Sequence, residues 1–321
     1  MSLPPTPKVL YIGGSGRSGS TLLSRILGEL PSFFAAGELR YLWREGLGED
    51  RLCGCGKRFS SCQFWSAVGD EAFGGWDGID RHRAAELEAA VSRQRHLPFL
   101  VGPRISLSFE RQLAEFEEIL QKLYGAIGKV ADARVIVDSS KDPAYALTLW
   151  RAFAPNLTVV HLVRDSRAVA FSWGHQKRSL DQPGSDSVMQ RFGPGMVGLR
   201  WTAYNGAMEA LRAMHVPYVR VRYEDMISGP QRQILRAASF IKEPVTAADV
   251  EFVRKDEVLV GEHHTLAGNP MRFDQGALKL RLDDRWKTQS AAGDRRLVTA
   301  LTWPLLKRYG FTAPATERGF A

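Results

Sequence analysis

KVLYIGGSGRSGSTLLSRILGEL, residues 8 to 30, decides how the rest of the chain is read. An apolar run from Val9 to Ile12 stops at Gly13 and Gly14. The chain then passes through Ser15, Gly16, Arg17, Ser18, Gly19, Ser20 and Thr21 before Leu22, Leu23, Ile26, Leu27 and Leu30. Those last spacings place the apolar residues on one face of a helix. The stretch reads as a buried strand, a tight loop and a helix whose unpaired N–H groups face an anion such as phosphate or sulfate. From Gly14 to Thr21 the loop nearly fits G-x-x-x-x-G-K-[ST], the phosphate loop of nucleoside-triphosphate enzymes. Ser20 stands where that loop has its lysine, and the cation here is Arg17, three residues earlier. The missing lysine argues against ordinary ATP hydrolysis.

Outward from this stretch, the run FFAA at 33–36 fits a second strand, ending at Gly37 and Glu38. Residues 39–131 then break the strand–helix rhythm. They read as an insertion (about 41–131) rich in Cys and aromatics, namely Trp43, Phe59, Phe64, Trp65, Phe73 and Trp76, with helices over 82–95 and 109–127. Alternation resumes with VIV at 135–137, leading into Asp138, Ser139, Ser140 and Lys141, and then a helix near Pro143. LTVVHLV at 157–163 is a further strand, closing in Arg164 and Asp165; the helix after it carries Ser172. Residues 176–198 read as a long loop able to act as a lid. A helix over 199–214, a strand over 218–221 ending at Tyr223, a helix from Pro230, a loop over 263–276 and a last helix over 297–309 follow. The pattern predicts an α/β, P-loop-like three-layer fold: a central parallel sheet, helices on both faces, and one domain over 1–321.

Ligands of such sheets gather at the C-terminal ends of the strands. Glu38 could therefore face the same crevice as Arg17, although a capping or solvent-facing glutamate fits the spacing equally. Arg164 and Ser172 could meet one phosphate, the guanidinium forking onto two oxygens and the hydroxyl adding a donor.

Composition sets the outer bounds. With 44% hydrophobic and 24% charged residues the chain is that of an ordinary globular protein, and its net charge of +8 favours anionic ligands. Basic residues are interleaved with acidic ones, so no nucleic-acid partner is expected. No run approaches the ~20 apolar residues of a membrane helix, and residues 1–8 lack a signal-peptide core, so a cytoplasmic protein is expected. Cys53, Cys55 and Cys62 are an odd number, against a closed disulfide framework. With His82 or His96 as fourth ligand they could hold a structural zinc ion, but a reduced or partly bridged loop is the expectation ahead of zinc.

Taken together, three motifs resemble the sulfotransferases that use 3′-phosphoadenosine-5′-phosphosulfate (PAPS). Gly16-Arg17-Ser18-Gly19-Ser20-Thr21 looks like that family's loop for the 5′-phosphosulfate. The segment 160–165 continuing to Ser172 looks like its 3′-phosphate motif, in which the arginine and the serine eight positions later contact that phosphate. The segment 223–226 is similar to the one whose tyrosine, here Tyr223, lies near the adenine. Residues 268–273 look like a C-terminal loop of bacterial members, whose arginine, here Arg272, approaches the nucleotide. Arg17 in place of a lysine is closer to bacterial and carbohydrate-type members than to the cytosolic small-molecule branch. Lys141 matches a lysine of that branch, but the histidine base expected after it is missing.

The resemblance implies transfer of a sulfuryl group from PAPS to a hydroxyl or amine of a small-molecule, carbohydrate or lipid acceptor, by in-line displacement and without a required metal. Glu38 sits where some bacterial members place a glutamate base and is the first choice, with His263 and His264 in reserve. Arg17 and Lys141 would stabilise the leaving oxygen. The aromatic insertion and the loop over 176–198 would line the acceptor. Two other readings remain at this stage. One is a P-loop kinase or hydrolase, with Asp138 holding magnesium. The other is a non-catalytic nucleotide-binding protein.

Overall fold

β1 (Lys8–Gly13) is buried on both faces because its alternate side chains enter two different apolar layers. Val9 and Tyr11 join one core, Leu10 and Ile12 the other. In this computed structural model, which describes residues 7–102, 106–175, 180–181 and 190–312, four more strands run parallel to it. They are β2 (Phe33–Gly37), β3 (Val135–Lys141), β4 (Leu157–Val163) and β5 (Tyr218–Arg222), in the order β2-β3-β1-β4-β5. Val9 pairs with Ile136 on one side and with Leu157 on the other, so β1 is central. β6 (Glu257–Val260) and β7 (Gly276–Lys279) form a separate antiparallel pair.

In chain order the helices are α1 (Ser20–Gly28), α2 (Gln63–Phe73), α3 (Arg81–Val91), α4 (Leu97–Val101), α5 (Leu107–Val130) and α6 (Pro143–Phe153). After them come α7 (Ser166–Gly174), α8 (Pro194–Ala213), α9 (Tyr223–Ser228), α10 (Pro230–Phe240), α11 (Trp286–Gln289) and α12 (Ala292–Arg308). Leu23 and Ile26 of α1 and Ile234 of α10 cover the Leu10 face of the sheet. Tyr124 and Ile127 of α5, Leu149 of α6 and Met208 of α8 cover the Val9 face. This is the expected three-layer arrangement, with helices on both faces of a parallel sheet.

Side-chain caps close the helices that follow β3 and β4 but not the one that follows β1. Asp142 caps α6, accepting the Ala144 and Tyr145 N–H groups at 2.8 and 3.3 Å, with Pro143 at the first helical position. Asp165 caps α7 in the same way through the Arg167 N–H at 2.9 Å. α1 has no such cap: Gly19 precedes it, no side chain accepts its N–H groups, and its first turn carries no acid. An anion can take the place that a capping oxygen fills elsewhere.

Some boundaries differ from the sequence reading. The insertion is more regular than expected, since α2 and α4 lie within it. The helix expected over 82–95 is α3, which stops at Val91, and α5 extends past 109–127 at both ends. Of the loop expected over 176–198, residues 176–179 and 182–189 lie outside the described residues, and 194–198 open α8, where Pro194 fits the first turn. The six insertion aromatics named from the sequence, Trp43 to Trp76, do not line the pocket at the sheet edge as expected. Trp43, Phe59 and Trp65 are buried in the Val9 core, Phe59 stacks on Trp65 at 5.4 Å, and Phe64 stacks on Phe34 at 4.6 Å. Their apolar area gains more from covering one another and the sheet edge than from facing a wet cleft.

At the end of β2, Gly37 holds φ 85° while Leu266 crosses it so closely that a Cβ would lie 2.2 Å from the Leu266 carbonyl oxygen. Gly125, inside α5, has nothing within 4 Å of its would-be Cβ. Chemical denaturation should therefore separate two like-for-like changes. Gly37→Ala is expected to lose ~2 kcal/mol or more through strain and clash, whereas Gly125→Ala should gain up to ~1 kcal/mol through helix propensity.

Candidate active site

A cleft of about 770 Å³ opens at the C-terminal edge of the sheet. It brings together Arg17, Thr21, Glu38, Lys141, Arg164 and Ser172, supplied by four different strand ends. Gly16, Gly19, Ser20, Tyr223 and Arg272 also line it. Ser18 does not; its hydroxyl is buried beneath the loop and has no partner.

The loop is shaped by what packs against it. The Tyr223 ring lies against Gly19, where a Cβ would come within 2.5 Å of the ring, so only glycine allows this approach. Arg164 lies over the other part of that contact, its guanidinium 4.5 Å from the Tyr223 ring centre and its Nη1 donating to the Arg17 carbonyl at 3.1 Å. The Arg17 guanidinium sits 4.8 Å from the Trp173 ring centre. Burial holds the Arg17 pKa below its usual value, partly opposed by the charge of Glu38. Arg17 and Lys141 both take positive φ, 66° and 69°. Such backbone costs a non-glycine residue ~1–2 kcal/mol, and strain of this kind gathers at functional sites.

Glu38 and Lys141 form the other wall. Lys141 Nζ lies 2.5 Å from Glu38 Oε1, with both side chains largely buried. Lys141 stands in register with Gly13, and its carbonyl accepts the Gly14 N–H at 3.3 Å, so it flanks the first turn of the loop. Over Glu38 runs the segment 266–269. The Glu38 N–H donates to the Leu266 carbonyl at 2.7 Å, and the Leu266 N–H to the Ala36 carbonyl at 2.9 Å. The Asn269 N–H reaches Thr21 Oγ1 at 3.4 Å. This C-terminal segment therefore touches both the base candidate and the anion loop.

Several expectations take a different form. Arg272 lines the cleft, but its two terminal nitrogens donate to the carbonyls of Thr265 (3.0 Å) and Leu52 (2.8 Å), so it ties loop to insertion. Neither reserve histidine lines the cleft. Burial drives the His263 pKa down to about 4 and its Nδ1 is shared with Thr265 Oγ1 at 3.0 Å, while His264 lies among the three cysteines. That also corrects the choice of a fourth ligand: His264 stands there, while His82 is exposed on α3 and His96 contacts Arg93 and Arg95.

Asp138, the magnesium candidate of the kinase reading, is fully buried and does not line the cleft. Its carboxylate accepts from the Ser140 N–H (2.8 Å), from the Ser140 hydroxyl (2.5 Å) and from the Tyr124 hydroxyl. Burial pushes its pKa up to about 6.

The sequence reading missed several cleft residues, among them Trp173, Tyr41, Tyr204 and Arg200. Trp173 follows Ser172 directly and was within reach of the motif. Tyr41 and Tyr204 lie near one another, and Tyr41 also lies near Glu38. Nothing in their spacing distinguishes them from scaffold aromatics.

The family model described as "Sulfotransferase domain" matches residues 7–259. The chain belongs to the sulfotransferase family. Among solved structures, it is similar to the sulfotransferase domain of the olefin synthase of Synechococcus PCC 7002. The identity is 19%, the match covers 98% of this chain and 99% of that one, and the TM-score is 0.50. It also matches the sulfotransferase domain from the curacin biosynthetic pathway, at 18% identity over 92% and 98% of the two chains with a TM-score of 0.47. Retinol dehydratase in a complex with retinol and PAP matches at 14% identity over 99% and 85%, with a TM-score of 0.38. A search of curated proteins finds no match. The olefin-synthase likeness supports the fold, and the family model makes the chain a transferase of sulfuryl groups. Among the described residues no helix is long and apolar enough to cross a membrane.

In this sulfotransferase Asp138 is a structural carboxyl, which gives a pH prediction. Its folded pKa of about 6 lies above the ordinary 3.8, so the folded state binds the proton more tightly. The stabilisation it contributes is fully present below 3.8 and is lost as pH rises through about 6. Asp138→Asn should remove that part of the stability–pH curve, read by thermal unfolding across the same window, and should keep sulfuryl transfer. Loss of all transfer in a folded Asp138→Asn protein would restore the metal-ligand reading.

Proposed function

We propose that the whole chain acts as one catalytic domain that moves a sulfuryl group from PAPS to a hydroxyl of a polar acceptor, with Glu38 as general base. The observation that carries this reading is the meeting, in one cleft, of an uncapped helix start with Arg17, of the Arg164–Ser172 pair, and of Glu38 against Lys141. A donor with phosphates at both ends of its ribose fits two cationic subsites that share Tyr223 as a neighbour.

In the proposed step the acceptor oxygen attacks sulfur in line, and the bond from sulfur to the 5′-phosphate oxygen breaks. Glu38 takes the acceptor's proton as the new oxygen–sulfur bond forms. The negative charge passes to 3′,5′-phosphoadenosine. It is met by the N-terminus of α1, by Arg17, by the hydroxyls of Ser20 and Thr21, and by Lys141 beside the loop. Donors aimed in advance at such charge are worth ~3–4 kcal/mol each in a water-excluded site. Arg164 and Ser172 hold the 3′-phosphate and serve recognition. Tyr41, Tyr204 and Arg200 offer hydroxyls and a guanidinium on the acceptor side. That lining favours a polar, hydroxylated acceptor over an apolar chain.

Variants divide these roles. Glu38→Gln should bind 3′,5′-phosphoadenosine like the parent while turnover falls ~10²–10⁴-fold. Arg17→Ala should lower turnover ~10²–10³-fold. Arg164→Ala should weaken donor binding ~10–100-fold, the size of a lost charge-assisted contact. Calorimetry and an acceptor screen with labelled PAPS read both quantities. A rise in melting temperature with ATP and magnesium, and none with PAPS, would overturn the assignment.

A further inference from the structure

Away from the cleft, three thiols and an imidazole converge. Cys53 and Cys55 lie on a tight turn in which the Cys53 N–H donates to the Lys57 carbonyl (2.8 Å) and the Gly56 N–H to the Cys53 carbonyl (2.9 Å). Cys62 immediately precedes α2. His264 comes from the C-terminal segment, 202 residues from Cys62. Cys62 Sγ lies 3.7 Å from Cys53 Sγ and 3.8 Å from Cys55 Sγ. His264 Nδ1 lies 3.4 Å from Cys62 Sγ and 3.8 Å from Cys53 Sγ. All four ligand atoms fall within 4.8 Å of one another.

These four separations match four of the six edges of a tetrahedron sized for zinc. Bonds of ~2.3 Å to sulfur and ~2.0 Å to nitrogen at tetrahedral angles place sulfurs ~3.8 Å apart and sulfur and nitrogen ~3.5 Å apart. A disulfide would draw two sulfurs to ~2.05 Å and leave the third thiol and the imidazole facing nothing. The surroundings also suit an ion. The Cys55 N–H donates to Cys53 Sγ and the Trp65 N–H to Cys62 Sγ, as outer partners of thiolate ligands do. The Phe64 ring stacks on the His264 ring at 4.9 Å and 4°, and Trp65 Nε1 donates to the His264 carbonyl at 3.1 Å. The first contact fixes the imidazole plane, the second the backbone that carries it.

The geometry points to a structural zinc ion held by Cys53, Cys55, Cys62 and His264, which joins the insertion to the segment over the active cleft. With four protein ligands the site is closed and takes no part in sulfuryl transfer. Arg272 bridges the same two pieces of chain from the other side, through the carbonyls of Leu52 and Thr265, the residues next to Cys53 and His264. The ion therefore holds residues 266–269 against Glu38 and Thr21.

The test is elemental analysis of protein purified without chelator or metal-affinity resin. About one zinc per chain and no disulfide by intact mass is expected, with a three-sulfur, one-nitrogen shell in X-ray absorption. Cys62→Ser and His264→Ala should lose the zinc, His264→Cys should keep it, and His82→Ala and His96→Ala should be indistinguishable from the parent. Should the ligand variants not fold, dipicolinate treatment of the parent protein should lower its melting temperature, and added zinc should restore it. Parent protein that carries no zinc and takes none up on refolding with it, or that contains a disulfide among these cysteines, would overturn the proposal. Retention of zinc by a folded His264→Ala protein would also overturn the ligand set.

Discussion

Five strands run in one direction, so their five C-terminal ends open on one edge, and the cleft is built from that constraint. β1 delivers the anion loop, β2 delivers Glu38, β3 ends in Lys141, β4 leads to Arg164 and β5 to Tyr223. None of these residues is near the others in sequence, and none needs a long excursion to meet them. The two apolar faces of β1 fix the arrangement. A one-residue slip would exchange the Val9 and Leu10 layers and move every strand-end residue out of place.

Cations outnumber acids on the cleft walls: ten Lys and Arg, among them Arg17, Lys141, Arg164 and Arg200, against five Asp and Glu. At an effective dielectric of ~20, two like charges 4 Å apart repel by ~4 kcal/mol. Such a wall is stable only when it is spread, screened or filled. Aromatic faces relieve part of the strain: Trp173 under Arg17 and Tyr223 under Arg164 stabilise guanidinium groups without neutralising them. What remains is a field that favours a multiply charged anion, consistent with a chain of net charge +8.

The strand ends were legible in the sequence because each combines an apolar run with the polar residue that follows it, a local signal. Arg17, Glu38 and Arg164 were reached this way, Ser172 by its spacing from Arg164, and Lys141 and Tyr223 through the family resemblance; all six line one cleft. The insertion was not legible in the same sense. Six aromatics in a Gly- and Cys-rich stretch report that apolar area must be covered, but periodicity cannot name the partner. Here the partners were Phe34 and the aromatics themselves, not a ligand. His264 was invisible as a companion of the cysteines for a stronger reason: only the folded chain makes residues two hundred positions apart neighbours. Arg272 lines the cleft, yet its guanidinium is spent on carbonyls, which no spacing can reveal.

The C-terminal segment poses an energetic problem that explains why so many contacts converge on it. Closing a loop of about two hundred residues is entropically costly, and each further doubling adds only ~0.6 kcal/mol, so most of that cost must be met wherever the ends first join. A single hydrogen bond, worth ~1 kcal/mol net, does not hold such an end in place. The segment is held instead by strand-like pairing with Ala36 and Glu38, by two donors from one buried guanidinium, and by the packing of His264 on Phe64. These contacts act on one short piece of chain, so each makes the next cheaper to form. Glu38, the proposed base, would need a roof of that kind to meet an acceptor within tenths of an ångström.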